Sequence, residues 1–193
     1  MRSEWTWRTV DIVVAAAIAI AFGVVFWAWN QVWAAATPAF AAVPPAQNIL
    51  YGVWLVPAVL AGLIIRKPGA ALFTELVAAS VSAVLGSQWG LDTLVSGALQ
   101  GLGAEVVFFV ARYRVWTMVI AIVAAMLTAV AAWIHDTPLY YADLGLDQQL
   151  VILIFMIASA ILIAGIGSWL LMRSLVQTGV LAQFPAGRAQ QRV

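Results

Sequence analysis

Long apolar runs that do not alternate, broken only by short clusters of charge, proline and glycine, dominate this chain. A helix needs about 20 mainly apolar residues to cross the hydrocarbon core of a bilayer. The lack of a two-residue period argues against the strands of a membrane barrel. Of the 193 residues, 65% are hydrophobic and 9% are charged, too apolar a mixture to hide inside one small globule with a polar skin. The expected fold class is therefore all-α: an integral membrane bundle of six transmembrane helices. The punctuation places them at about 10–33, 48–65, 68–85, 91–111, 115–134 and 148–172, in a single domain over 1–193. The first run follows Arg2 and Arg8 but is too long for a signal peptide, and it ends in Trp27, Trp29 and Trp33, as a retained span does at an interface. Pro44 and Pro45 close the loop that follows it, and Gln183–Val193 reads as a short polar tail that frays.

Charge fixes the expected orientation. With six spans and the N-terminus in the cytoplasm, all nine basic residues fall in cytoplasmic loops or tails: Arg2, Arg8, Arg66, Lys67, Arg112, Arg114, Arg173, Arg188 and Arg192. The opposite loops carry Asp92, Asp136, Asp143 and Asp147, with no basic residue. The positive-inside rule is then met without exception, with both termini cytoplasmic, and five or seven spans would break it.

Candidate chemistry is sparse. There is no cysteine, which removes disulfides, thiolate metal sites and cysteine nucleophiles together. His135 is the one histidine and reads as a solvated loop residue beside Asp136, so no metal site is expected. No G-x-x-x-x-G-K-[ST] phosphate loop and no Ser-His-Asp triad occurs, so uphill transport would need an outside energy source. Two acidic residues lie within spans. Glu75 shares a helical stripe with Ala71, Ala78 and Ser82, and Glu105 recurs at four-residue spacing with Gly97 and Gly101. Both therefore face packing surfaces rather than lipid, where an intramembrane carboxylate marks a ligand contact or a structural bond. Nearer the outer helix ends, Asn48, Tyr51, Trp54, Gln88, Trp89 and Gln100 could line an outward pocket between helices 2 and 4. Trp54, Tyr51 and Trp89 offer faces for a flat or cationic ligand. On helix 1, Ala15 and Ala19, and Ala17 and Ala21, form overlapping small-residue faces that permit close packing within the bundle or against a partner helix.

Three ordered motifs carry a resemblance: Ile65-Arg66-Lys67-Pro68-Gly69-Ala70-Ala71-Leu72-Phe73-Thr74-Glu75, then Leu85-Gly86-Ser87-Gln88-Trp89-Gly90, then Gln100-Gly101-Leu102-Gly103-Ala104-Glu105. In these the chain resembles the YkoE-type substrate-binding (S) components of energy-coupling factor (ECF) transporters. The resemblance implies a non-enzymatic, multi-pass subunit of a bacterial cytoplasmic membrane, without a cofactor or nucleic-acid partner. It implies capture of thiamine or its hydroxymethylpyrimidine precursor from outside, and delivery with a transmembrane T component and two cytoplasmic ABC ATPases. It also implies that the alanine face of helix 1 meets the T component. Thiamine is a thiazolium cation joined to an aminopyrimidine, for which a carboxylate and aromatic faces in an apolar pocket are apt. Two other readings stand beside this one: a membrane enzyme using Glu75 and Glu105 as an acid/base pair, and a scaffold whose glutamates are purely structural.

Overall fold

The computed structural model describes residues 5–190, so Arg2 and Arg192 lie outside the described residues. Helix α1 spans Thr9–Ala36 and runs on through a short 3-10 turn, Thr37–Phe40. A 3-10 segment, Pro44–Leu55, leads directly into α2, Val56–Ile65. Helices α3 (Ala70–Val84), α4 (Asp92–Val110) and α5 (Met118–Tyr140) follow. Helix α6 (Leu146–Ser159) passes through a π-helical stretch, Ala160–Gly167, into α7 (Ser168–Gln177), and α8 (Pro185–Gln190) ends the described chain. Five segments are long and apolar enough to cross a membrane: Thr9–Phe40, Pro44–Ile65, Asp92–Val110, Met118–Tyr140 and Leu146–Gln177. Helix α3 is apolar but has only 15 residues, about 22 Å of rise.

The Pro44–Ile65 segment is the centre of the bundle, and every residue of α2 is buried. Its first half departs from the α-helix expected from sequence. A 3-10 run of 12 residues is unusual, because its hydrogen bonds are poorly aligned. Here Pro44 and Pro45 open the run instead of closing a loop, and Ser159 supports its middle. The Ser159 hydroxyl donates to the Ile49 carbonyl at 2.5 Å and accepts from the Gly52 N–H at 2.8 Å. Gly52 lies so close to α6 that an added Cβ would sit 2.5 Å from the Ser159 carbonyl oxygen. With three residues per turn, Asn48, Tyr51 and Trp54 stack on one side of the segment.

At the end of the bundle that carries the basic residues, Asp11 receives the backbone N–H and the side chain of Arg8 and the Lys67 ammonium. That knot ties α1 to the turn between α2 and α3, and the Trp7 indole N–H adds a bond to the Pro68 carbonyl at 2.9 Å. Burial brings the Arg66 guanidinium down to about 10; it lies 5.2 Å from the centre of the Trp116 ring. The tail does not fray as expected through residue 190: Leu181, Phe184 and Ala186 are buried, and Arg8 reaches over Phe184. Leu181 and Phe184 are large apolar groups, and burying them favours docking over solvation.

Helix α5 runs six residues past its expected end, because Pro138 lies in the last turn and the helix closes with Tyr141 N–H on the Thr137 carbonyl. This corrects the reading of His135 as a solvated loop residue. It is helical, and its side chain is only 8% exposed. Asp136, placed by sequence in an outer loop, is likewise helical and buried.

Candidate functional site

At the end of the bundle away from the basic residues, five helical segments and one turn enclose a cavity of about 250 Å³. Helix α1 contributes Phe26, Asn30 and Trp33, and the 3-10 segment contributes Tyr51 and Trp54. Helix α3 supplies Glu75, Ala79 and Ser82; the following turn supplies Trp89; α4 adds Asp92, Thr93, Ser96, Gly97 and Gln100. Asp136, Tyr140 and Tyr141 close the α5 side. Helices α3 and α4 meet closely enough to form this wall because of two glycines. An added Cβ on Gly97 would lie 2.5 Å from the Ala79 Cβ, and one on Gly101 would lie 2.8 Å from the Leu72 Cα.

Four aromatic rings form one side. Trp54 is central, with Trp33, Tyr51 and Trp89 at ring-centre distances of 5.2, 5.3 and 5.3 Å. The Tyr51 and Trp89 rings stand nearly perpendicular to that of Trp54, an arrangement that edge and face charges favour. The Trp54 indole donates to Asn30 Oδ1 at 3.1 Å, and the Asn30 amide in turn reaches Ser87 Oγ at 3.3 Å, so the ring plane is fixed.

Glu75 lies deep in the bundle and is fully buried. Its Oε2 accepts the Ala58 N–H at 2.9 Å, while Oε1 has no hydrogen-bond partner. Ala58 lies near the start of α2, just after Pro57 and the change from 3-10 to α-helix, where backbone hydrogen bonding changes register. The carboxylate thus completes a helix N-terminus with one oxygen and leaves the other available.

The opposite side is a polar chain. Tyr51 donates to Asp136 Oδ2 at 2.6 Å, His135 joins Asp136 Oδ1 at 2.9 Å and Asp92 Oδ1 at 3.2 Å, and Tyr140 donates to Asp92 Oδ2 at 2.6 Å. Gln100 Nε2 bonds Ser96 Oγ at 2.7 Å and reaches the Tyr51 hydroxyl at 3.4 Å. Burial first, then the Asp136 charge, pushes the Tyr141 hydroxyl up to about 12; it donates to Asn48 Oδ1 at 3.4 Å. Among the described residues no group of three or more His, Cys, Asp or Glu is placed to hold a metal ion.

Of the residues singled out by sequence, the cavity brings together Glu75, Trp89, Trp54, Tyr51 and Gln100. Asn48 stands behind it, bonded to the Pro45 carbonyl and to Tyr141. Gln88 faces a separate outer depression with Gln47, and that depression shares Trp33 and Trp89 with the cavity. Glu105 requires a correction as a ligand contact. It receives the N–H groups of Gly69, Ala71 and Leu72 at 2.7, 3.1 and 3.4 Å and the Tyr113 hydroxyl at 2.5 Å. It therefore completes the start of α3 and lies outside the cavity. Burial, then Glu105 itself, pushes the Tyr113 hydroxyl up. Ala15 and Ala19 are also corrected as docking residues: both are fully buried in the bundle, whereas Ala17 and Ala21 are exposed. Sequence missed the α1 and α5 walls. Trp33 passed for an interface anchor, and Asn30 and Tyr141 carried no signal; the Asp92, His135 and Asp136 spacing became meaningful only once α5 was extended.

These helices and this cavity define a multi-pass membrane protein with a solute-sized chamber inside its bundle. A family described as "ABC-type cobalt transport system, permease component" matches residues 10–131. The protein named "Putative HMP/thiamine permease protein YkoE" of Bacillus subtilis (strain 168) is 34% identical over 184 residues, covering 95% of this chain and 92% of that one. A solved structure described as an S-component of an ECF transporter superposes with a TM-score of 0.92 at 34% identity, covering 97% of this chain and 94% of the other. The chain belongs to the YkoE-type family of ECF-transporter S components.

Proposed function

We propose that this chain captures thiamine or hydroxymethylpyrimidine from the outer side of a bacterial cytoplasmic membrane and delivers it with a T component and two cytoplasmic ABC ATPases. In this reading it forms one domain of six spans, α3 being the short sixth, with both termini cytoplasmic. The observation that carries it is the buried Glu75 with one unpartnered oxygen beside four aromatic rings, in a cavity at the end opposite the basic residues. A carboxylate acceptor suits an aminopyrimidine N–H or balances a thiazolium, and the rings suit either flat heterocycle. The name of the Bacillus relative points to the same ligands.

The acid/base reading has lost its geometry, because Glu75 and Glu105 complete the starts of two different helices and do not share a chamber. Purified full-length protein should retain thiamine or hydroxymethylpyrimidine detectable by mass spectrometry, or show quenched tryptophan fluorescence when either is added. Silence toward both compounds in both measurements would sink the proposal.

A further inference from the structure

Resting on that functional reading, we propose that the site accepts its vitamin only without phosphate, and that Asp92 and Asp136, bridged by His135, turn phosphate esters away. A phosphate brought out of water needs cations or a cluster of free N–H donors. The cavity lining offers no cation, and its N–H donors are those of separate side chains, such as Asn30 and Trp33 on α1, Gln100 on α4 and Trp89 on the α3–α4 turn, with no run of backbone N–H groups shown facing it. Among the described residues no Lys or Arg lines the cavity; the basic ones belong to the N-terminal segment, the α2–α3 and α4–α5 turns, and the α7 and C-terminal stretch.

Helix starts could substitute, since their N–H groups draw anions. Two helix starts adjoin the chamber: that of α2 has its Ala58 N–H taken by the Glu75 carboxylate, and that of α4 carries Asp92 as its first residue, whose charge disfavours a second anion there. Each of the four oxygens of Asp92 and Asp136 has one partner: the Tyr51 and Tyr140 hydroxyls, which donate, and the two ring nitrogens of His135, of which a neutral ring donates from one and a protonated ring from both. The carboxylates are thus held in place as acceptors. With both carboxylates ionised, the trio is negative whether the imidazole between them is neutral or protonated. A cationic thiazolium is drawn to such a wall, and the same molecule carrying a phosphate meets like charge with no compensating donor. Discrimination built from repulsion of this kind leaves affinity for the preferred ligand intact.

The test is tryptophan-fluorescence titration of the full-length protein with thiamine, thiamine monophosphate, hydroxymethylpyrimidine and its phosphate. Like-charge juxtaposition of several kcal/mol implies that each ester binds at least about 100-fold more weakly than its parent. An ester within about tenfold of its parent overturns the proposal. A neutral ester of the same hydroxyl, such as O-acetylthiamine, should bind within about tenfold of thiamine, because it adds bulk without charge; an acetate rejected as strongly as the phosphate assigns the rejection to size and also overturns it. Asp92→Asn should narrow the phosphate gap, whereas an unchanged ratio removes Asp92 from the role. If that variant does not fold, the comparison of phosphate with acetate on the unaltered protein decides. Failure of the functional reading looks different: neither parent compound responds.

Discussion

Glu75 and Glu105 make the same contact in successive helices, each reaching back to the N–H groups at the start of the helix before it, and they differ in what is left over. Glu105 has both oxygens engaged by three backbone donors and a tyrosine, and Glu75 keeps one oxygen free. Glu75→Gln preserves an acceptor for the Ala58 N–H while removing the charge. It should weaken binding of thiamine by roughly 10- to 100-fold, the worth of a hydrogen bond to a charged group, with little change in melting temperature; fluorescence titration and thermal denaturation in detergent measure the two. Glu105→Ala should do the reverse, costing about 1–3 kcal/mol of stability and leaving the dissociation constant within about twofold. The sequence showed that both carboxylates face neighbouring helices. It could not show which oxygen would be free, because that depends on where α2 starts in space, and the start is set by Pro57 and a change of helix type.

The helices themselves were largely legible, since long apolar runs leave few choices in lipid. The departures sit where hydrogen bonding changes register. The 3-10 run from Pro44 to Leu55 stacks Asn48, Tyr51 and Trp54 by threes, a period that an α-helical reading of the same letters fans through about 120°. Its stabiliser, Ser159, is more than 100 residues away in sequence, so no local pattern announces it. Ser159→Ala should leave the Gly52 N–H without its hydroxyl acceptor, costing about 1–3 kcal/mol, and should loosen ligand binding as Tyr51 and Trp54 lose their alignment. A fall in melting temperature with unaltered affinity would show that the ring register does not depend on this bond. Gly101→Leu would drive α3 and α4 apart at Leu72, and both stability and binding should fall together in the same two measurements. The α5 extension has a similar cause. His135-Asp136-Thr137-Pro138 has the composition of a turn, yet a proline in the final turn of a helix removes only one internal bond.

For the whole molecule, the surface left for a partner can now be divided. Ala15 and Ala19 are spent inside the bundle, and Ala17 and Ala21 remain on the outer face of α1 with Val13, Ile20 and Val24. Ala17→Trp or Ala21→Trp should leave thiamine binding unchanged and abolish co-purification with a T component and ATP-driven uptake; Ala19→Trp should instead prevent folding. Retained co-purification in both exposed variants would move the docking surface elsewhere. The depth of the chamber adds a consequence of its own. Glu75 is the sixth residue of a 15-residue helix, well inside the bilayer on the proposed topology. A monocation that travels from the outer surface to it descends part of the membrane potential, negative inside. Taking the distance as roughly half the field, a potential of 100 mV contributes about 1.2 kcal/mol to capture. Loading of thiamine in energised vesicles should therefore strengthen severalfold over that in depolarised ones, before any ATP is hydrolysed.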